Sequence, residues 1–474
     1  MTHNKNGLSK YLTYGTGFLG DAFFYQFMTN FLLVFLVGPA AMNSKDTGTV
    51  ASTIVLADAF FSIFAGRIID GLKSKYGRKR PVLLFTAFAM PLMFWLSFFA
   101  IRGGDTVKII YYTCTGFAFY ALFVTYYIAV TALGADISEG YDDSIKLNAY
   151  VSFVTNAASL CCLAMPLPVI RFIQRLGVSE PHAWFVFAGI MSFLTMSGIL
   201  ACWNNSRGKE ILDGTSSGSQ SFKEMFSDYR QLLKLKPYRR LIEAKSVLNF
   251  CFSIYSSCLV FYITFRIPGD SAAIASLAYT FNTILSFAVI PVLSAFALKF
   301  GKRYTTVVGC SIYAAIGFAL YFIGVTTIPT LLIYVAGHAI GVAGFWQLYT
   351  TNLYDVADLD EYRNGVRREG NIVGLQSFIC TLFISVTLRV FTILLDSSGF
   401  NVNNPVQSES ALAMLNITFI LLPAITSLMG ALIMYAYKIT KDGNRLVREA
   451  LERRKNGSEE LSSEEIAKIE AMYK

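Results

Sequence analysis

Long apolar runs alternate with short charged connections along the whole chain, and this alternation fixes the predicted elements. Twelve runs, near 11–37, 47–69, 81–101, 108–134, 146–170, 183–203, 241–265, 272–298, 305–324, 329–354, 371–395 and 411–437, are each long enough for a helix to cross hydrocarbon. The predicted fold is therefore all-α and membrane-integral, with twelve transmembrane helices. Lys and Arg gather in the even-numbered connections, from Lys73 to Arg80, Arg207 to Arg240, Lys299 to Arg303 and Arg363 to Arg368, while the odd ones are nearly free of them. Short basic loops stay inside, so both termini are expected in the cytoplasm of a multi-pass protein of the inner (plasma) membrane.

The one long internal break divides the runs six and six. Within it Thr215 to Ser221 is a small-polar linker. Ser221 with Glu224 forms a capping box that opens a short amphipathic helix through Met225, Phe226, Tyr229 and Leu233. The predicted organisation is a six-helix bundle over 1–203, a cytoplasmic linker with its helix over 204–240, a second six-helix bundle over 241–438, and a charged cytoplasmic tail over 439–474. An internal echo supports duplication: KYGRKR begins at Lys75 and KFGKRY at Lys299, and the same separation carries Asp136 onto Asp360. Two parallel six-helix pseudo-repeats define the major facilitator fold, in which solute binds near mid-membrane between the repeats.

Composition agrees and removes other classes. With 54% hydrophobic and only 15% charged residues, the chain falls well short of the roughly 25% charge of soluble domains. The net charge of +9 is spread over loops. It is a topology signal meeting anionic membrane lipid, with no nucleic-acid partner implied. The eight cysteines lie within apolar segments without CxxC spacing, which argues against disulfides and zinc sites. No nucleophile-base pair, metal constellation or phosphate loop is present, so no enzyme, catalytic residue or cofactor is expected.

The chemistry centres on Asp58, in the stretch from Val55 to Pro81. It stands about ten residues into its run, or roughly 15 Å at the helical rise. A carboxylate in hydrocarbon is costly, faces a bundle interior or watery cavity, and is a functional candidate by default. Asp21 lies at similar depth in the first run. An acid so placed can serve a proton site or a sodium site. Acidic and basic loops at the inner end supply a candidate cytoplasmic gate: Asp136 and Asp142 after the fourth run, Asp360, Glu361, Arg367 and Arg368 after the tenth, and Arg78 and Arg80 in the basic run.

GRIIDGLKSKYGRKRP from Gly66, AVTALGADISEGYDDSIKLNAY from Ala129 and DEYRNGVRREG from Asp360 resemble the glycoside-pentoside-hexuronide:cation symporter family. DAFFSIFAGRIID, from Asp58, is most similar to the glucuronide-carrier branch. The resemblance covers essentially all twelve runs and implies further site residues. Sodium-coupled members carry a second carboxylate one turn after the position of Asp58; here that position is Ser62, on the same face, which brings protonation of Asp58 ahead of sodium binding. Asp21 aligns one residue before an acid of sugar-binding members. Tyr127 and Thr131 stand where those members have an acid and a tryptophan, and Thr381 where they have a lysine. The tryptophan of the tenth run is kept as Trp346, with Gln347 beside it and Gln376 in the eleventh run.

The implied function is proton- or sodium-coupled symport of a glycoside or glucuronide-like small molecule by alternating access, in a monomer. The loss of several sugar contacts favours a bulky, partly apolar solute over a small unmodified sugar. The alternatives are a carrier of amphipathic solutes such as steroids or lysolipids, and a membrane sensor that transports nothing.

Overall fold

The computed structural model describes residues 11–42, 44–72, 74, 76–138, 140–210, 222–399, 407–456 and 462–473. Its helices follow the apolar runs and extend into the charged connections: α1 (Tyr11–Val37), α2 (Ser44–Gly71), α3 (Lys79–Ser97), α4 (Asp105–Ile137), α5 (Tyr141–Ala164), α6 (Pro166–Arg175), α7 (Glu180–Asn205), α8 (Phe222–Lys234), α9 (Lys236–Arg266), α10 (Ser271–Phe300), α11 (Lys302–Ile323), α12 (Ile328–Asn364) and α13 (Glu369–Ser397). The last are α14 (Glu409–Tyr435), α15 (Lys441–Asn456) and α16 (Ser463–Tyr473). Each predicted run thus has its helix. Among the described residues nine are by length and apolarity alone able to cross a membrane, or ten if α5 and α6, bent by 43° at their junction, form one span. The amphipathic helix of the linker is α8; of its proposed capping pair, Ser221 lies outside the described residues, as do the side chains of Glu224 and Met225.

The chain forms two units. Unit 1 comprises 1–139, 146–229 and 363–378, and unit 2 comprises 140–145, 230–362 and 379–474. In unit 1, α2 and α3 pack along α4, and α3 also packs on α7. Unit 2 repeats the last pairing one repeat later: its α11 packs on α14, which also carries α9.

Aromatic rings fill the core of unit 1. Phe24 stacks on Phe94 with centroids 4.2 Å apart, and Phe27 meets Phe98 at 4.9 Å. Phe98 lies parallel to Trp184. Such offset and edge contacts add to what burial alone gives. In unit 2 the core runs through Cys251, Ile254, Tyr255, Cys258 and Tyr262 of α9 against Tyr313, Tyr334 and Phe419. His338 packs here: its Nδ1 meets Asn282 Oδ1 at 3.1 Å and its ring stacks on Tyr255 at 3.5 Å.

Candidate functional site

In α1 the regular helical ladder is interrupted. Tyr126 of α4 donates its hydroxyl hydrogen to the Gly17 carbonyl, and the next stretch, Gly20–Tyr25, winds as a π-helix. A side chain inserted into the ladder, followed by a wide turn, is a local irregularity that recurs at functional sites. Gly20 is what allows it, because a Cβ there would come within 2.7 Å of the Tyr126 ring. Asp21 sits on this π-stretch, half-buried. Tyr127, also half-buried, faces Phe123 in a stacked pair and Phe18 edge-on. One turn on, Thr131 is 2% exposed and its hydroxyl has no hydrogen-bond partner among the described residues. Of the other rings in α1, Phe24 and Phe27 belong to the packed core, while Phe23 and Tyr25 remain half-exposed.

Asp58 lies in α2, and its side chain is outside the described residues. Ser62, one turn later, is buried. Here α2 runs against the first turns of α13 at backbone contact: a Cβ on Gly66 would fall 2.1 Å from the Gly370 carbonyl oxygen, and one on Gly374 would fall 2.8 Å from that of Ser62. Gln376, half a turn beyond Gly374, is also buried. Asp21, Ser62, Tyr127, Thr131 and Gln376 thus all belong to unit 1. Trp346, Gln347 and Thr381 belong to unit 2. Trp346 is 43% exposed; Gln347 is buried and donates from Nε2 to Ser294 Oγ at 2.5 Å. Thr381 is half-buried.

The charged end of unit 1 holds a buried ion network. Lys79 Nζ lies 2.6 Å from Asp136 and 3.6 Å from Glu369, while Arg367 forms an ion pair with Asp136 at 3.0 Å and also pairs with Glu369. These four side chains are only 1 to 6% exposed. Exposed pairs are worth about 0 to 1 kcal/mol, but a buried pair that loses one partner costs several times that. The network therefore resists opening far more than a solvated charged rim would. Arg368 pairs separately with Asp228 at 2.9 Å. The basic run divides its work: the Glu210 carboxylate accepts from the backbone amides of Arg78, Lys79 and Arg80 at the start of α3, and the Arg80 guanidinium lies over the Trp203 ring. Of the three, Lys79 joins the quartet.

Asp70 was not among the sequence-derived candidates. Its carboxylate accepts from the amides of Gly370 and Asn371 at 3.1 and 2.8 Å, capping the start of α13. It stands one residue past the apolar run 47–69. There burial, then the Glu369 carboxylate, push its carboxyl up to about 7 against the pull of the Asn371 amide. Glu369, two residues ahead of the run 371–395, is raised by burial, but Arg367 and Lys79 overcome this and hold it at about 2. A carboxyl raised in the folded state binds a proton there that the unfolded chain has already released. Its contribution is therefore full below the ordinary value of 3.8 and is lost as pH rises toward 7. Asp70→Asn is expected to flatten the decline of thermal stability across that window, measured by unfolding in detergent at stepped pH; an unchanged slope would exclude Asp70 as its source.

Unit 2 has its own charged end. Lys302 pairs with Asp355 at 2.8 Å and lies over the Tyr141 ring. Asp142 pairs with Lys441, and Asp358 with Arg448 at 2.7 Å, so the tail helix α15 is fastened to α12. Asp360 and Glu361 are buried within the last turns of α12.

A family model described as MFS/sugar transport protein matches residues 13–441, and the chain belongs to that family of membrane transporters. The resemblance to glycoside-pentoside-hexuronide:cation symporters agrees with it. The chain is 23% identical to the "Glucuronide carrier protein homolog" of Escherichia coli (strain K12), over 95% of this chain and 97% of that protein. It is 21% identical to the "Isoprimeverose transporter" of Lactiplantibacillus pentosus, over 88% and 86%. The solved fucose:proton symporter of E. coli aligns with a TM-score of 0.63 at 12% identity, covering 92% of this chain and 98% of that one. It bears out the major facilitator fold.

Proposed function

We propose that the protein is a cation-coupled symporter of the inner membrane, with both termini cytoplasmic, that carries a glycoside or glucuronide-like solute by alternating access as a monomer. One observation carries the reading: an acid, Asp21, on a π-helical stretch that Tyr126 props open, with Tyr127 and Thr131 following on the same helix as Tyr126. An irregular intramembrane backbone beside an acid and half-exposed rings suits a solute and an ion together. The relatives named for a glucuronide and for isoprimeverose support a glycoside cargo and leave its charge open.

Asp58 is the proposed coupling acid. Ser62 beside it brings a hydroxyl and no charge, so the coupling ion is a proton ahead of sodium. Uptake of an aryl glucuronide by vesicles under separately imposed proton and sodium gradients tests this: accumulation is expected to follow the proton gradient. Greater dependence on sodium would overturn the choice of ion, and no gradient dependence would overturn coupling itself.

A further inference from the structure

Lys245 of α9 lies one turn inside the apolar run that begins at Leu241, away from the basic cluster that opens the helix. It is 6% exposed. Its ammonium stands 4.2 Å from the centroid of Tyr349 and 5.2 Å from that of Trp346. Those two rings are one turn apart on α12, so a single ridge presents both to the cation. Lys and Arg at membrane depth face a bundle interior or a watery cavity and mark the path of what is carried.

Two neighbouring features extend this to a ligand. Trp346 remains 43% exposed with Lys245 against it, which leaves ring surface for an apolar sugar face or aglycone. Gln347, adjacent in sequence, is buried; its Nε2 is engaged by Ser294, while its Oε1 has no hydrogen-bond partner among the described residues. One turn of α12 and the lysine beside it therefore offer an aromatic plate, a hydrogen-bond acceptor and a positive charge.

We propose that Lys245 determines the charge of the cargo. It pairs with a carboxylate or sulfonate on a ring-bearing solute that stacks on Trp346, so the protein selects an anionic glycoside over its neutral counterpart. This rests on the reading of the protein as a glycoside carrier. A neutral glycoside offers the ammonium only hydroxyls, and a charge-assisted contact is about twice as strong as a neutral one.

The test uses the full-length protein in proteoliposomes with two probes that differ only at carbon six, para-nitrophenyl β-glucuronide and para-nitrophenyl β-glucoside. The readout is the ratio of kcat/KM for the two, which cancels differences in protein yield. Wild type is expected to favour the glucuronide. Lys245→Met and the more polar Lys245→Gln are expected to lower the ratio about tenfold or more, and Lys245→Arg, which keeps the charge and stacks on rings, to restore most of it. A ratio unchanged in whichever of the Met and Gln variants remains monodisperse would assign the lysine to packing and overturn the inference, as would a wild type that prefers the glucoside. Transport of neither probe by wild type would remove the glycoside reading itself, and the inference with it.

Discussion

Asp136→Asn is expected to lower folding stability by about 3 to 5 kcal/mol, the usual cost of removing one partner from a buried ion pair. Asp136 touches both Lys79 and Arg367, and the substitution leaves two buried cations sharing one carboxylate, Glu369. The coupling is testable because the loss comes from unpaired charge rather than from missing volume. Adding Lys79→Met to Asp136→Asn removes the stranded cation, so the double variant is expected to be more stable than the single one. Thermal unfolding in detergent gives both values. A single variant within about 0.5 kcal/mol of wild type, as surface substitutions usually are, would show that the quartet contributes no net stability.

The second large effect is expected at Asp58. Asp58→Asn keeps the shape of the side chain and removes its charge and its proton. In the proposed symporter it abolishes accumulation against a gradient while leaving exchange of solute between the two sides. Uptake driven by an imposed proton gradient is expected to fall at least about tenfold, because an ionisable acid at such depth is retained for the ion pathway. Counterflow in the same proteoliposomes provides the contrast. Full gradient-driven accumulation by the variant would move the coupling role elsewhere, with Asp21 next in line.

The sequence carried the architecture well because the bilayer restricts what an apolar run of this length can become. Each run is helical, and the charged loops supply the buried networks of both units. The details that escaped were those that depend on direction or distance. Arg78, Lys79 and Arg80 are consecutive on a helix start, pointing about 100° apart, so one of them meets Asp136, and the spacing alone does not say which. Asp70 stands one residue past its apolar run, and its role as a cap on α13 joins residues 300 positions apart. Lys245 was hidden by the basic cluster just before it, and the rings that surround it come from α12. The π-stretch around Asp21 has no sequence signature of its own, since its cause is Tyr126 on another helix. Phe24 and Phe27 show the converse: they share the first run with Asp21, yet packing claims both rings for the core.

Unit 1 is not a continuous length of chain, because residues 363–378 complete it. A polypeptide ending at the 204–240 linker would leave Asp70 without its two amide donors, and Asp136 with a single cation. The molecule is interlaced rather than modular. If it arose by duplication, neither copy has stayed self-sufficient, and a break in the linker would yield pieces that regain their buried charges only by reassociating.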